Sequence, residues 1–248
     1  MTRACWSLIL AGSLSVATLA SDVVPATGGD ISITPIMHAS VQLEHAGTVI
    51  QIDPWSKADL SKVKPGDLIL ITDIHGDHFD PAAIASVRKP NAPVVVPPAV
   101  REAAGGKIPA LTVIANGETR IVAGINIEAV PMYNLQRGPK PGEFFHTKGR
   151  GNGYVLTLGD KRIYVAGDTE CTPEVKALKN IAVAFIPMNL PYTMTPVEAA
   201  DCVKAFQTGI VYPYHYQGQK VEEFQAALKG TKIEVRIGDW YPGAPAGN

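Results

Sequence analysis

Metal-ligating residues are concentrated at one point of this sequence, just after a continuous apolar run at residues 68–71. Four carboxylate or imidazole side chains stand there within six positions, namely Asp73, His75, Asp77 and His78. A short apolar run of this kind is typical of a fully buried strand, and strand alternation directs the first three side chains to one side. Because carboxylate and imidazole together bind zinc, manganese and iron, the segment predicts a metal site at the end of a buried strand. The alternative is a polar helix cap with a surface histidine pair.

Short apolar runs separated by turns predict two successive series of strands. The first series covers residues 31–36, 41–44, 49–52, 68–71 and 94–96, and the second covers 111–114, 119–122, 125–130, 153–158, 162–166, 183–186, 210–212 and 232–236. Helices are predicted from Asp80-Pro81, over 173–178, from Thr195 to about Phe206, and near 221–228. Two packed sheets covered by helices, an α/β layered domain, fit this order. The Gly- and Pro-rich stretch 137–153 is long for a loop and is a candidate functional segment.

The first 20 residues have the three-part layout of a secretory signal peptide. Arg3 supplies the positive region, residues 6–19 are apolar apart from Ser and Thr, and small residues precede a cleavage site after Ala20. We therefore predict export to the periplasm or the medium and a mature domain at residues 21–248. The alternative is a retained membrane anchor, but the run is shorter than the roughly 18 residues that span a bilayer. No stable membrane insertion is expected after cleavage.

Composition and cysteine content indicate which partners and which cysteine chemistry to expect. Hydrophobic residues make up 46% and charged residues 18% of the chain, as in a globular domain with a sizeable core. The formal net charge of −1 provides no basic footprint, so nucleic acid is not expected as a partner. After signal cleavage two cysteines remain, Cys171 and Cys202. One bridge is compatible with an oxidising compartment, although Cys202 falls on an apolar helical face and is predicted to be a small buried hydrophobe.

Three motifs resemble those of the metallo-β-lactamase superfamily. Residues 72–78 read Thr-Asp-Ile-His-Gly-Asp-His and differ from the family's Thr-His-x-His-x-Asp-His only at Asp73. Gly-Asp-Thr at 167–169 resembles the strand-end motif whose Asp bridges two metals, and Pro-Tyr-His-Tyr at 213–216 resembles the last motif. The resemblance covers nearly all of the mature chain and is strongest to the small lactonase-like and phosphodiesterase-like branch. It implies a four-layer αββα sandwich.

The resemblance also implies a ligand set. One metal would be held by Asp77, His78, Asp168 and His215, and the other by Asp73, His75 and Asp168. The family's further His is absent after residue 130, which leaves open whether Asn134 or His146 completes the second set and whether one or two Zn²⁺ ions bind. Asp73 is a harder ligand than His, which favours Mn²⁺ or Fe²⁺ or lowers the affinity for zinc. His38 either contacts the site or is a structural histidine.

A hydrolase of a small-molecule substrate is the function that the resemblance implies. A metal-bound hydroxide would attack a lactone, an ester or a related bond, and Asp77 would orient the nucleophile and pass a proton to the leaving group. Two alternatives remain, a phosphodiesterase or phospholipase-type hydrolase and a metal-binding protein that has lost catalysis. The sequence identifies neither the substrate nor the oligomeric state.

Overall fold

A computed structural model describes residues 19–242, in which the chain forms two seven-stranded sheets. The first sheet contains β1 (Asp22–Val24), β2 (Ile31–Met37), β3 (Ser40–His45), β4 (Thr48–Ile52), β5 (Leu68–Leu70), β6 (Val94–Val96) and β7 (Leu111–Val113). The second contains β8 (Thr119–Val122), β9 (Ile125–Met132), β10 (Gly151–Leu158), β11 (Lys161–Val165), β12 (Ile181–Pro187), β13 (Ile210–Tyr214) and β14 (Glu234–Val235). All the predicted strands are present, with boundaries within two residues of the expected ones.

The two sheets have the same internal order. In each, strands follow one another in chain order, the first four pair antiparallel, and the remaining pairs are parallel. Parallel pairing requires a crossover connection, and the crossovers carry the helices. They are α1 (Pro81–Val87), α2 (Pro98–Ala104), α3 (Pro173–Lys176), α4 (Pro196–Phe206) and α5 (Val221–Leu228).

Neighbouring residues of the central strands are buried in different apolar clusters, which shows that both faces of each sheet are covered. In β5, Leu68 and Leu70 join the apolar cluster between the sheets, while Ile69 packs under α1 and α2. In β12, Phe185 points into the same inter-sheet cluster, whereas Ala184 packs under α4 and α5. The layers are therefore helices, sheet, sheet and helices, which confirms the predicted αββα sandwich.

Helix starts follow the capping residues in the sequence. The Asp80 side chain accepts hydrogen bonds from the first-turn backbone of α1, and Thr195 forms a capping box with Glu198 at the start of α4. β1 and α2 were not predicted from the sequence. Pro97-Pro98 ends β6, and Pro98 also occupies the first turn of α2.

Three further expectations concern the cysteines and the membrane. Cys171 and Cys202 form a disulfide, so the prediction of Cys202 as a free buried hydrophobe is wrong. Cys202 is buried as predicted, but its pairing depends on a loop after β11 lying against α4.

The predicted signal peptide lies outside the described residues apart from its last two positions. Among the helices at residues 19–242, none is both long and apolar enough for a bilayer crossing.

Candidate metal centre

The predicted ligands meet at one edge of the two sheets. Residues 73–78 follow β5, Asp168 follows β11, and His215 follows β13. These strands lie in the parallel parts of their sheets, and the carboxyl ends of parallel strands are where ligand sites of such folds are built. His146 comes from the Gly- and Pro-rich segment between β9 and β10 and is fully buried against the same edge. The long loop thus contributes directly to the site.

The first group of ligand atoms, which we call cluster A, comprises Asp77, His78, Asp168 and His215. His215 Nε2 lies 3.3 Å from Asp77 Oδ2 and 3.4 Å from Asp168 Oδ1. His78 Nε2 lies 3.9 Å from Asp77 Oδ2 and 3.5 Å from Asp168 Oδ2. These are the four residues that the resemblance assigned to one metal.

The second group, cluster B, comprises Asp73, His75, His146 and Asp168. His75 Nδ1 lies 3.0 Å from Asp73 Oδ2, and His146 Nε2 lies 4.0 Å from the same oxygen. His146 Nε2 is also 3.3 Å from Asp168 Oδ2, so Asp168 lies between the two clusters. His146 rather than Asn134 therefore brings a ligand atom to the place where the family's further His was missing.

Both clusters have the spacing of ligands around a single ion. Tetrahedral ligands at bond lengths of about 2.1 Å lie about 3.4 Å from one another, and the separations in cluster A run from 3.3 to 3.9 Å. His78 Nε2, His146 Nε2, His215 Nε2 and Asp168 Oδ1 are buried without a hydrogen-bond partner. Buried polar atoms are ordinarily satisfied, and these converge on common points. The residues therefore fit a divalent metal in each cluster.

The charges of cluster A support the same conclusion. Burial opposes ionisation of Asp168, but His215 and His78 outweigh it and hold the pKa of this carboxyl well below its usual range. Burial likewise opposes protonation of His78, yet Asp168 and Asp53 raise its pKa well above the ordinary value. Protonated His78 would carry a hydrogen on Nε2, which has no acceptor in hydrogen-bonding geometry. A metal cation satisfies the same carboxylates and uses the nitrogen lone pair.

His78 is oriented by a buried carboxylate behind it. Asp53, at the end of β4, accepts hydrogen bonds from Thr72 N at 2.8 Å, from the Thr72 hydroxyl at 2.5 Å, and from His78 Nδ1 at 2.8 Å. With its proton on Nδ1, His78 presents the lone pair of Nε2 to the cluster. Asp53 is therefore the supporting residue that fixes the tautomer of this ligand.

His146 has an equivalent support. Asn134 Oδ1 accepts hydrogen bonds from His146 N at 2.7 Å and from His146 Nδ1 at 2.9 Å, so Nε2 is again free to bind. Asn134 Nδ2 in turn donates to Glu170 Oε1 and to the Tyr192 carbonyl. Glu170 also accepts from three consecutive backbone N–H groups at residues 135–137. Asn134 thus positions His146, and its side-chain oxygen is not directed at the metal centre.

His38 contacts cluster A from the turn between β2 and β3. The Tyr241 hydroxyl accepts hydrogen bonds from the backbone N–H groups of Tyr216 and Gln217, so its own proton is donated to His38 Nδ1 at 2.8 Å. The proton of His38 then resides on Nε2, which lies 3.3 Å from Asp77 Oδ2. Burial lowers the pKa of His38, in keeping with the neutral ring. This bonding makes His38 a donor towards Asp77 and withholds its Nε2 lone pair from a metal.

Arg150 lies against cluster B. Its Nε and Nη2 donate to the two oxygens of Asp73 at 3.0 and 2.8 Å, and its Nη1 donates to the Phe145 carbonyl at 2.7 Å. Burial would raise the pKa of Asp73, but His75 and the nearby cations hold it below the usual range. Because Asp73 is fully buried, its carboxylate needs hydrogen bonds from protein groups, and this guanidinium donates them.

Three of these residues, Asp53, Arg150 and Tyr241, were not predicted from the sequence. For Asp53, an Asp directly after a predicted buried strand was a usable signal. Arg150 and Tyr241 carried no such signal, because their partners Asp73 and His38 are 77 and 203 positions away. Their roles depend on the folded chain.

Comparisons with known proteins agree with the geometry. The sequence profile of the Beta-lactamase superfamily domain matches residues 32–215. A UPF0173 metal-dependent hydrolase from Aeropyrum pernix is 32% identical over 230 residues, which cover 85% of this chain and 95% of that protein. The crystal structure of a protein from Parabacteroides distasonis, described as a metal-dependent hydrolase, superposes with a TM-score of 0.83 at 40% identity, covering 90% of this chain and 100% of that one. A metallo hydrolase from Ignicoccus hospitalis has the same fold, with a TM-score of 0.68 at 22% identity and coverage of 84% and 94%.

Proposed function

Since this chain belongs to the β-lactamase superfamily and is a metal-dependent hydrolase, we propose that it cleaves a lactone, an ester or a related bond with zinc as its metal. The observation that carries the proposal is the meeting of clusters A and B at Asp168, with buried ligand atoms that lack hydrogen-bond partners. Asp77, His78, Asp168 and His215 would hold one ion, and Asp73, His75, His146 and Asp168 the other. Bound zinc would polarise the substrate carbonyl and lower the pKa of a coordinated water.

Asp77 is the residue best placed to handle protons. Its side chain is 28% exposed, the most among the carboxylates of the two clusters, so it faces the open side of the site. Its short contacts with His38 and His215 use Oδ2, which leaves Oδ1 to accept a proton from an attacking water and return it to the leaving group. His38, fixed by Tyr241, orients the carboxylate for this transfer.

A neutral substrate suits the surroundings better than a phosphodiester. Arg150 contacts cluster B, but each of its three nitrogens is already engaged by Asp73 or Phe145. The backbone carbonyl of Tyr192 contacts Asn134, and Tyr192 is 43% exposed, with its ring packed edge-on against Phe145. An aromatic surface with no free guanidinium favours an uncharged ester or lactone with an apolar substituent.

Export is part of the proposal. The predicted cleavage site after Ala20 precedes the first strand, which begins at Asp22, and the Cys171–Cys202 disulfide is of the kind that forms in oxidising compartments. Expression of the full chain in a bacterium with an outer membrane, followed by fractionation and mass spectrometry, would test it. The expected product is a periplasmic or secreted protein that begins at Ser21, and an intact cytoplasmic chain would contradict the proposal.

The hydrolase proposal is tested by metal analysis joined to an activity panel. Elemental analysis of the purified protein is expected to show zinc at up to two ions per chain, and lactones and aryl esters are expected to turn over. His78→Ala should lose metal and activity together, whereas His45→Ala, at the last residue of β3 and outside both clusters, should lose neither. Full metal content and activity in His78→Ala would overturn the proposal. Faster turnover of bis-p-nitrophenyl phosphate than of any lactone would assign the site to phosphodiesters.

A further inference from the structure

Cluster B contains a buried ion pair between one of its carboxylates, Asp73, and Arg150. Asp73 is fully buried, and both of its oxygens accept hydrogen bonds from one guanidinium. The fork of Nε and Nη2 matches the two oxygens of a carboxylate, and such bidentate pairs are the strong form of the interaction. The same oxygen that Nη2 contacts, Oδ2, is the one that lies 3.0 Å from His75 Nδ1. Asp73 therefore faces a cation on one side and the ligand atoms on the other.

The third donor of Arg150 reaches the other side of the cluster. Its Nη1 donates to the carbonyl of Phe145, the residue before His146. One planar group thus connects Asp73, which follows β5, with the backbone that carries His146, in the loop before β10. The distance between the two ligand residues is set through a rigid guanidinium whose nitrogens are all engaged.

The ion pair between Arg150 and Asp73 also changes the net charge of cluster B. A carboxylate and a guanidinium together carry no net charge, as does a neutral imidazole. A divalent ion that binds cluster B therefore meets Asp168 as the only carboxylate of the cluster that is not paired with a guanidinium. The oxygens of Asp73 can still bind the ion, because a carboxylate oxygen retains a lone pair after accepting one hydrogen bond. Without Arg150, the same buried position would hold an unpaired anion, which is costly to bury in the metal-free protein.

We propose that Arg150 is a positioning residue that makes Asp73 a working ligand of the metal in cluster B, by balancing its charge and fixing its distance from His146. The inference rests on the proposed two-metal site. Cluster A contains neither Arg150 nor Asp73, so the role of Arg150 can be tested separately from the function proposed for cluster A.

The test is a double-mutant cycle read out by metal content. Wild-type protein, Arg150→Gln, Asp73→His and the double variant Asp73→His/Arg150→Gln are dialysed against zinc, and stoichiometry and stepwise affinity are measured with a chromophoric chelator. Arg150→Gln is expected to keep the ion of cluster A and to bind the ion of cluster B about 10–100-fold more weakly, the usual effect of losing a group that supports a ligand. The double variant should recover the second ion, because neutral His at position 73 needs no compensating cation.

Two controls keep the outcomes interpretable. Arg162→Gln removes an arginine that forks Glu128 between β9 and β11, outside both clusters, and should leave both affinities unchanged. Arg150→Lys retains the charge without the fork and should lose part of the affinity at cluster B. If Arg150→Gln does not fold, Arg150→Lys by itself tests whether the fork matters for the affinity of cluster B. Cobalt substitution provides a spectroscopic readout independent of activity, in which the bands of the second cobalt ion should need about 10–100-fold more cobalt in Arg150→Gln and return towards the wild-type concentration in the double variant.

Failure of the role of Arg150 and failure of the two-metal site would give different results. Two zinc ions in Arg150→Gln with unchanged affinities would overturn the role of Arg150 and leave the two-metal site intact. Loss of the second ion without recovery in the double variant would also overturn it, since Arg150 would then act by shaping the loop and not through Asp73. A wild-type protein that binds only one ion would refute the two-metal part of the proposed function, and this inference with it.

Discussion

Replacing Asp53 by Asn tests whether a residue that touches no metal controls metal binding. The substitution preserves shape, and the backbone at position 53 has a φ of 44°, a conformation that Asn adopts more readily than most residues. Asn can still accept the Thr72 N–H at one side of the group. The other side now carries an NH₂, which faces His78 Nδ1, 2.8 Å from the original oxygen. An NH₂ group cannot accept the proton of Nδ1, so His78 is driven to the tautomer with its proton on Nε2, the nitrogen that would bind the metal.

The substitution also removes the acceptor of the Thr72 hydroxyl, which binds the same oxygen, but the effect on metal affinity follows from the contact with His78 Nδ1. Removing a partner that orients a histidine ligand weakens metal binding by about 10–100-fold, which is about 1.4–2.8 kcal/mol. The affinity of cluster A should fall by this amount, while cluster B should change less because His78 lies closest to Asp168 and Asp77. Competition with a chromophoric zinc chelator at neutral pH measures both affinities directly.

Asp67→Asn is the matched control. Asp67 also accepts a backbone N–H, from Val49 at 3.0 Å, and it pairs with Lys89 at the opposite end of β5. The same chemical change there should leave zinc affinity unaltered. An Asp53→Asn protein that binds zinc within about threefold of wild type would refute the argument that the Nδ1 contact sets the ligand tautomer.

Three further predictions address the loop, the disulfide and pH. Asn134→Leu should lower zinc occupancy of cluster B, because His146 loses the acceptor of its Nδ1; unchanged stoichiometry by elemental analysis would contradict this. The cysteines of the Cys171–Cys202 bridge are 31 positions apart. Reduction of the bridge should therefore lower the free energy of unfolding, measured by urea titration, by about 3–4 kcal/mol. A decrease of less than about 1 kcal/mol would contradict the chain-entropy explanation of this stabilisation. In chelator-treated protein the raised pKa of His78 stabilises the fold fully below its ordinary value of 6.5, and this contribution is lost as pH rises through the raised value. The melting temperature of that sample should therefore fall towards alkaline pH; a rise would refute the assignment.

The part of the site that could be predicted from sequence is the part encoded locally. Asp73, His75, Asp77 and His78 are neighbours in the chain, so a buried strand followed by a turn was sufficient to place them together. Asp168 and His215 follow strands of the same kind, and the resemblance supplied their partners. The layers were predictable for a similar reason, because the strand and helix patterns in each half are short-range.

What could not be predicted depends on the path of one loop. The choice between Asn134 and His146 remained open, because no local pattern tells how residues 133–150 return to the sheet edge. In the structure Glu170 gathers the backbone N–H groups at 135–137, and Asn134 then holds His146 in place. The contacts of Glu170 join positions more than 30 residues apart, and the Asn134–His146 contact spans 12 residues of irregular loop, so the sequence contained the components without their arrangement.

The structure also changes the argument about which metal Asp73 favours. Considered by itself, an anionic oxygen in place of a neutral imidazole favours manganese or iron over zinc, because it adds charge and hardness together. The ion pair with Arg150 separates these two properties: the charge is offset by the guanidinium, and only the change of donor atom remains. Zinc accepts carboxylate oxygen at bond lengths close to those of imidazole nitrogen. Because the charge is balanced and His75, His146 and Asp168 stand beside it, we infer that Asp73 does not weigh against the zinc that we propose for cluster B.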